Sequence, residues 1–167
     1  MAKRPTRKKS TIPLADRISN KLDEAAFFLQ HLKRHRDQQN QPQKPPAAEF
    51  RYHLSGFLSA AYSVGNLIAR KNKKWLKQLS TADQDLHEQV IDRMRGDIVH
   101  EGHVDTTIST RQVEADLDPT IYAQGTQSMF GTPKTDAVTH SVDLNGSPRE
   151  VVELCEQYLD LLRRESR

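Results

Sequence analysis

The apolar residues between Phe50 and Ile68 recur every three or four positions, over about six helical turns. This wide stripe predicts an amphipathic helix at 47–72 and is the strongest secondary-structure signal in the chain. A helix with one apolar face must bury that face against other elements, so the chain is expected to fold as packed layers around a core. The stripe consists of Phe50, Leu54, Phe57, Leu58, Ala61, Val64 and Ile68.

Two glycines interrupt this predicted helix, Gly56 and Gly65. Each lowers helix stability by up to about 1 kcal/mol relative to alanine. We interpret them as positions where a neighbouring helix packs closely.

Three further segments carry helical periodicity and predict helices at 14–36, 82–101 and 148–164. The stretch QQNQPQKPP separates the first two helices, because its paired prolines cannot continue a helix. Gly102 is placed to end the third.

Two of these helices have candidate N-caps. Ser80 or Thr81 offers a hydroxyl before the helix at 82–101. The sequence Ser147-Pro148-Arg149-Glu150 matches a capping box with proline at the first helical position, which predicts the start of the last helix.

Residues 103–144 lose the helical period and gain Val, Ile, Thr and Tyr between Gly and Pro, which predicts a small β-hairpin or irregular insertion. The predicted fold class is therefore all-α, an up-down four-helix bundle with a β-hairpin inserted before the last helix. We expect a disordered basic tail at 1–12 and a single domain at 13–167.

The composition of the 167 residues narrows the classes of function. No apolar run is long enough to span a bilayer and no apolar stretch follows the basic N-terminus as in a signal peptide, so we expect a cytoplasmic protein without membrane contact. The single cysteine, Cys155, excludes an intramolecular disulfide and a cysteine-based zinc site, and its apolar neighbours place it in the core. We expect neither a cofactor nor a metal.

The charge is distributed unevenly along the chain. Residues 1–77 carry 17 Lys and Arg against 5 Asp and Glu, a net charge of +12, while residues 78–167 carry 8 against 17, a net charge of −9. This split indicates an acidic partner for the first half, self-association between unlike halves, or both.

A basic cluster surrounds the only tryptophan, Trp75. Lysines and arginines suit contacts with a phosphate backbone, and the indole ring could stack on a base, which predicts a nucleic-acid contact. The alternative is a basic helix end that matches the helix dipole. The predicted nucleic-acid-binding residues are Arg70, Lys71, Lys73, Lys74, Trp75 and Lys77.

On the helix at 82–101, an α-helical repeat aligns Arg93, Asp97 and His100 on one face, with Arg95 at the border of the apolar face. A histidine can act as general acid or base near neutral pH, and an arginine can stabilise negative charge on phosphoryl oxygens. These side chains suit RNA cleavage without a metal, since the RNA 2′-hydroxyl can serve as the nucleophile. The alternative is a solvated helix face of ordinary charged residues.

The segments RGDIVHEG at 95–102, FRYHLSGFLSAAYSV at 50–64 and AAFFLQHL at 25–32 resemble the HEPN family of small prokaryotic helical proteins. The family motif is an arginine and a later histidine with four to six residues between them. Both Arg95-x4-His100 and Arg93-x6-His100 match it. The resemblance implies a homodimer in which His100 is the acid/base and Arg95 the phosphate ligand of a metal-independent endoribonuclease. It also implies a toxin–antitoxin pair with a nucleotidyltransferase-type antitoxin.

Active HEPN proteins usually have a polar residue directly after the arginine, where this chain has Gly96. The alternative function is therefore a non-catalytic helical-bundle protein that dimerises or pairs with a partner protein. A metal shared by His31 and His35, or one at His100 and His103, lacks an obvious third ligand. A DNA-binding regulator is disfavoured because no helix resembles a recognition helix.

Overall fold

The computed structural model describes residues 12–38, 47–101, 106–114, 134–144 and 146–167. The helices are α1 (Leu14–Gln38), α2 (Ala47–Lys71), α3 (Trp75–Gln78), α4 (Thr81–His87), a π-helical segment (Glu88–Arg95), α5 (Gly96–Glu101) and α6 (Val151–Glu165). The strands are β1 (Thr107–Glu114), β2 (Lys134–Leu144) and β3 (Ser147–Glu150). A mostly helical fold with a β insertion before the last helix is confirmed. The predicted tail, up to residue 11, and Gly102 lie outside the described residues.

Helices α1 and α2 pack in opposite directions, since Phe28 contacts Gly56 while His35, further along α1, contacts Phe50 near the start of α2. A Cβ atom on Gly56 would lie 2.5 Å from the Phe28 ring, which confirms the predicted close approach. At Gly65 a Cβ would lie 3.6 Å from the Trp75 ring, an ordinary packing distance.

The apolar stripe of α6 is buried as predicted, Cys155 included, so the cysteine is a core residue. Burial raises the pKa of its thiol well above the usual value. At the surface, α6 is joined to α1 by the Lys33–Glu156 ion pair and to α4 by Arg164, whose Nη2 lies 2.7 Å from Asp83 Oδ2. The described helices include none with the length and apolar content that crossing a membrane requires.

The sheet is antiparallel with strand order β1-β2-β3. Strands β1 and β2 pair from Thr107 opposite Ser141 to Glu114 opposite Lys134. On β2, His140, Val142 and Leu144 are buried at alternating positions, which is the period of a strand with one face on a core. That face packs against α1 and α6.

The predicted capping box at Ser147 is wrong, because Ser147–Glu150 forms strand β3 and α6 begins at Val151. The side chain of Glu150 is the N-cap, accepting a hydrogen bond from the backbone N–H of Glu153 at 2.6 Å. Pro148 fits this strand because β3 is at the sheet edge, where a missing N–H donor is tolerated. The turn before it contains Gly146 at φ 77°, a backbone conformation that favours glycine.

Candidate functional site

The residues of the arginine–histidine motif lie on a continuous helical segment that begins after Ser80. The Ser80 hydroxyl oxygen accepts a hydrogen bond from the backbone N–H of Asp83, so Ser80 is the N-cap and the helix begins at Thr81, one residue before the predicted start. Val90, Ile91 and Met94 bury the inner face of the segment, and Ile98 packs at the edge of the core. This burial fixes the rotation of the helix and leaves the arginines on its outer side.

The sequence predicts an α-helix throughout this segment, but the helix at 81–101 is only partly α-helical. Residues Glu88–Arg95 are π-helical, with i→i+5 hydrogen bonds in place of i→i+4. Each turn of this segment therefore contains more residues, and an alignment of Arg93 with Asp97 derived from an α-helical repeat does not hold across it. Segments of this kind occur frequently at functional sites.

Arg95 is half-buried at the end of the π-helical segment. Its guanidinium carbon lies 3.7 Å from the centroid of the Tyr62 ring on α2, a cation–π contact. Such a contact is worth about 0.5–1 kcal/mol at an exposed site and more where water is excluded. Tyr62 thus positions the guanidinium group over the face of its ring.

Arg93 has a different environment two residues earlier. Its Nη2 lies 3.1 Å from Oε1 of Glu88, forming an ion pair on the surface of the same segment. Exposed pairs of this kind contribute about 0–1 kcal/mol. Of the two arginines that match the family spacing, Arg93 is therefore engaged with an acid and Arg95 with an aromatic ring.

Asp97 and His100 lie on α5. Asp97 is half-buried in the first turn of that helix. The backbone of His100 is helical, and its side chain lies outside the described residues. In α-helical geometry a separation of five residues is about 7.5 Å along the axis and about 140° around it. The pairing of Arg95 with His100 therefore stays a prediction.

The predicted basic cluster is exposed except for Trp75. The prediction that Trp75 stacks on a base is wrong. Trp75 is only 3% exposed and packs edge-on against the His87 ring, at 5.6 Å between centroids. The indole cannot stack on a base in this position, because the apolar α2–α3 junction buries it. The remaining predicted members are on the surface: Arg70, Lys71, Lys73, Lys74 and Lys77.

One of these lysines, Lys71, forms hydrogen bonds within the protein. Lys71 Nζ donates to the carbonyl oxygens of Ser166 at 3.5 Å and Arg167 at 3.3 Å. Carbonyl groups at a helix C-terminus attract cations, so Lys71 helps hold the end of α6 against α2.

A buried polar pair joins α4 to α6 and was not predicted from the sequence. His87 Nδ1 lies 2.7 Å from the Tyr158 hydroxyl, and burial lowers the pKa of this histidine although Asp92 opposes the shift. The same burial raises the pKa of Tyr158. His87 precedes Val90, Ile91 and Met94 by three, four and seven residues, and this spacing could have placed it on the buried face.

The histidines of α1 do not share a metal site. The His31 ring stacks on His53 at 4.6 Å, and His35 is buried beside His140 at 5.5 Å. Within the described ranges no three His, Cys, Asp or Glu side chains are grouped so that they could hold a metal ion. His103 lies outside those ranges.

Comparison of the chain with protein-family models, with curated proteins and with solved structures found no significant match.

Proposed function

We propose that the chain is a HEPN-like, RNA-binding protein of the cytoplasm that cleaves RNA without a metal, using Arg95 and His100. In this proposal the helices form an up-down bundle and two copies form a homodimer, which brings arginine and histidine together from both chains. The resemblance in the sequence also implies a nucleotidyltransferase-type antitoxin as partner.

One observation carries the proposal: Arg95 is held by Tyr62 on the outer side of a helix that is rigidly packed on its inner side. A guanidinium fixed by a ring face has less side-chain entropy to lose when it binds an anion, and its N–H groups remain available as donors. His100 follows five residues later, at the family spacing. Asp97 lies between them in the sequence, in the first turn of α5.

The chemistry assigned to these residues balances without any added group. The 2′-hydroxyl oxygen of RNA attacks the adjacent phosphorus, and the bond from phosphorus to the 5′ oxygen of the next nucleotide breaks. His100 accepts the proton of the attacking 2′-hydroxyl and passes it to the leaving 5′ oxygen, so the proton count balances. Arg95 stabilises the negative charge that collects on the phosphoryl oxygens.

Cleavage of a mixed RNA pool in EDTA tests the proposal. We expect the parent protein to cut RNA, and His100→Ala and Arg95→Ala each to lower the rate at least about 100-fold, the contribution of a positioned acid or base. The matched controls are Arg93→Ala, which removes the arginine paired with Glu88, and Arg51→Ala, which removes an exposed arginine from α2. Both controls should retain most of the activity.

The variants must first show the same circular dichroism and thermal midpoint as the parent. Cleavage that requires Mg²⁺, or that persists in His100→Ala, would contradict the proposed mechanism. If Arg93→Ala abolishes cleavage while Arg95→Ala does not, the phosphate ligand is Arg93, seven residues before the histidine.

A second candidate is a non-catalytic protein that pairs with itself or with a partner protein. Two large aromatic side chains favour it: Phe27 on α1 is 54% exposed and Tyr52 on α2 is 76% exposed. Aromatic residues are enriched where proteins meet. Association without any RNA cleavage by the parent would favour this candidate.

A further inference from the structure

A groove lies between the first turns of α1 and the last turns of α2. It encloses a pocket of about 380 Å³. Three cations line it, Arg17 and Lys21 from α1 and Arg70 from α2, together with the polar side chains Asn20, Ser63 and Asn66. Among the residues that the structure describes, no acidic side chain lines this pocket.

The groove follows from the antiparallel packing of the two helices. Arg17, Asn20 and Lys21 are three and four residues apart, and so share one face of α1. Ser63, Asn66 and Arg70 are likewise three and four apart on α2. Buried Ile18 and Leu67 anchor the two helices beneath these polar rows.

The two arginines of the groove have no partner among the described residues. Lys21 forms an ion pair with Glu24, and the Ser63 hydroxyl donates to the carbonyl of Ser59 at 2.9 Å. Across the part of the chain that the structure describes, the guanidinium groups of Arg17 and Arg70 have neither a hydrogen bond nor an ion pair. The groove therefore presents cationic donors that are open to solvent and available to an anionic ligand.

The donor set selects a phosphate group. Guanidinium groups bind phosphate oxygens through paired hydrogen bonds, and carboxamide N–H₂ groups add neutral donors. A carboxylate would use fewer of these donors than the oxygens of a phosphate.

The groove is on the same side of α2 as the proposed site. Tyr62, which holds Arg95, is adjacent to Ser63 in sequence and one turn before Asn66 on the same helix. Arg70 lies eight residues after Tyr62, about 12 Å along the axis. A strand bound at Arg95 would thus pass along the polar face of α2 toward the groove.

We propose that this groove binds a backbone phosphate of the same RNA strand, further along the strand from the phosphate held at Arg95. This inference rests on the proposed function and assigns the path of its substrate. Arg17 and Arg70 are the phosphate ligands, Asn20 and Asn66 supply neutral donors, and neither arginine takes part in the cleavage step.

Fluorescence anisotropy with a labelled 2′-O-methyl RNA tests the groove, since that RNA can bind without being cut. The test variant is Arg17→Gln with Arg70→Gln. The matched control is Arg34→Gln with Arg51→Gln, which removes two exposed arginines at the other end of the same helices. We expect at least tenfold weaker binding by the groove variant and less than threefold by the control. The salt slope of the groove variant should fall by about 0.7, the value for one neutralised phosphate of a single strand.

The outcomes separate the groove from the proposed function. If the parent binds RNA and both double variants weaken it equally, the groove assignment is overturned, while RNA binding stands. If the parent does not bind RNA, both proposals fail. A parallel titration with inorganic phosphate and with a nucleoside monophosphate tests whether the groove binds a small phosphorylated ligand instead of RNA. Binding of these alone, lost in the groove variant, would reassign the groove to a small phosphorylated ligand and overturn the RNA path.

Discussion

His140 is a buried imidazole that forms no hydrogen bond with any of the described residues. Its side chain is 2% exposed and stacks on Phe50 at 3.8 Å between centroids, and neither ring nitrogen has a partner within the described residues. Burial, and next the nearby His35, lower its pKa to about 4. The imidazole of His140 is therefore neutral when β2 is packed on the helices.

This environment predicts acid-sensitive packing of the sheet. The unfolded imidazole titrates near pH 6.5 and the folded one near 4, so the unfolded state binds more protons between these values. The contribution of His140 is fully present above pH 6.5 and is lost as the pH falls toward 4, by on the order of 2–3 kcal/mol. Urea unfolding should show a steeper loss of stability between pH 6.5 and 4.5 for the parent than for His140→Leu. Equal slopes would contradict the assignment.

At the scale of single elements, the start of α6 shows how a local motif can mislead. Ser147 and Glu150 have the spacing of a capping box, but the chain before α6 is drawn into the sheet, where Ser147 pairs opposite Leu144. The acid that was expected at the third helical position is instead the N-cap itself. Strand pairing in the β2–β3 hairpin overrides the helical preference of these residues.

The two capping arrangements predict different mutant stabilities. We expect Glu150→Ala to lower the free energy of unfolding by about 1 kcal/mol, because it removes the acceptor for the Glu153 N–H. Glu150→Gln retains an acceptor oxygen and should stay closer to the parent. Ser147→Ala should change stability by less than about 0.5 kcal/mol. Chemical denaturation measures all three, and a larger effect at Ser147 than at Glu150 would favour the capping box.

For the whole molecule, the uneven distribution of charge along the sequence corresponds to two differently charged surfaces. The basic groove is between α1 and α2, whereas the cleft between α4 and α6 contains Asp83, Asp85 and Asp160 beside Arg149 and Arg164. Asp83 is paired with Arg164 and Asp160 with Arg163, so much of that cleft is internally balanced. The cationic groove is not balanced in this way, which favours an acidic partner over self-association through unlike halves.

A homodimer with composite sites predicts complementation between inactive subunits. Arg95→Ala and His100→Ala proteins, each inactive alone, are mixed and allowed to exchange subunits. After random exchange, half of the dimers contain one subunit of each variant. In such a dimer one of the two sites has both an intact arginine and an intact histidine, so about a quarter of the parent cleavage should return. Sedimentation must show dimers in every sample. No recovery despite subunit exchange would place both residues of a site in one chain.

The sequence predicts those parts of the molecule that depend on local periodicity. The α2 stripe, the α6 stripe and the glycine at position 56 are found as expected, because a buried face repeats along each helix. Trp75 was misassigned, since a tryptophan among lysines has the same local sequence whether it points inward or outward. Its contact with His87, and the contact of Arg95 with Tyr62, join residues far apart in sequence and leave no local signal.

The π-helical segment has a consequence for how this chain tolerates changes in length. Each of its i→i+5 turns accommodates one residue more than an α-helical turn, so the segment behaves as an absorbed insertion. Deleting one residue between Glu88 and Arg95 would return the turn to α-helical form and leave α5 in phase with the buried anchor at Val90, whereas the same deletion from an α-helical turn would rotate α5 by about 100°. This segment is therefore the part of the helix where the chain can lose a residue without turning Asp97 to another face.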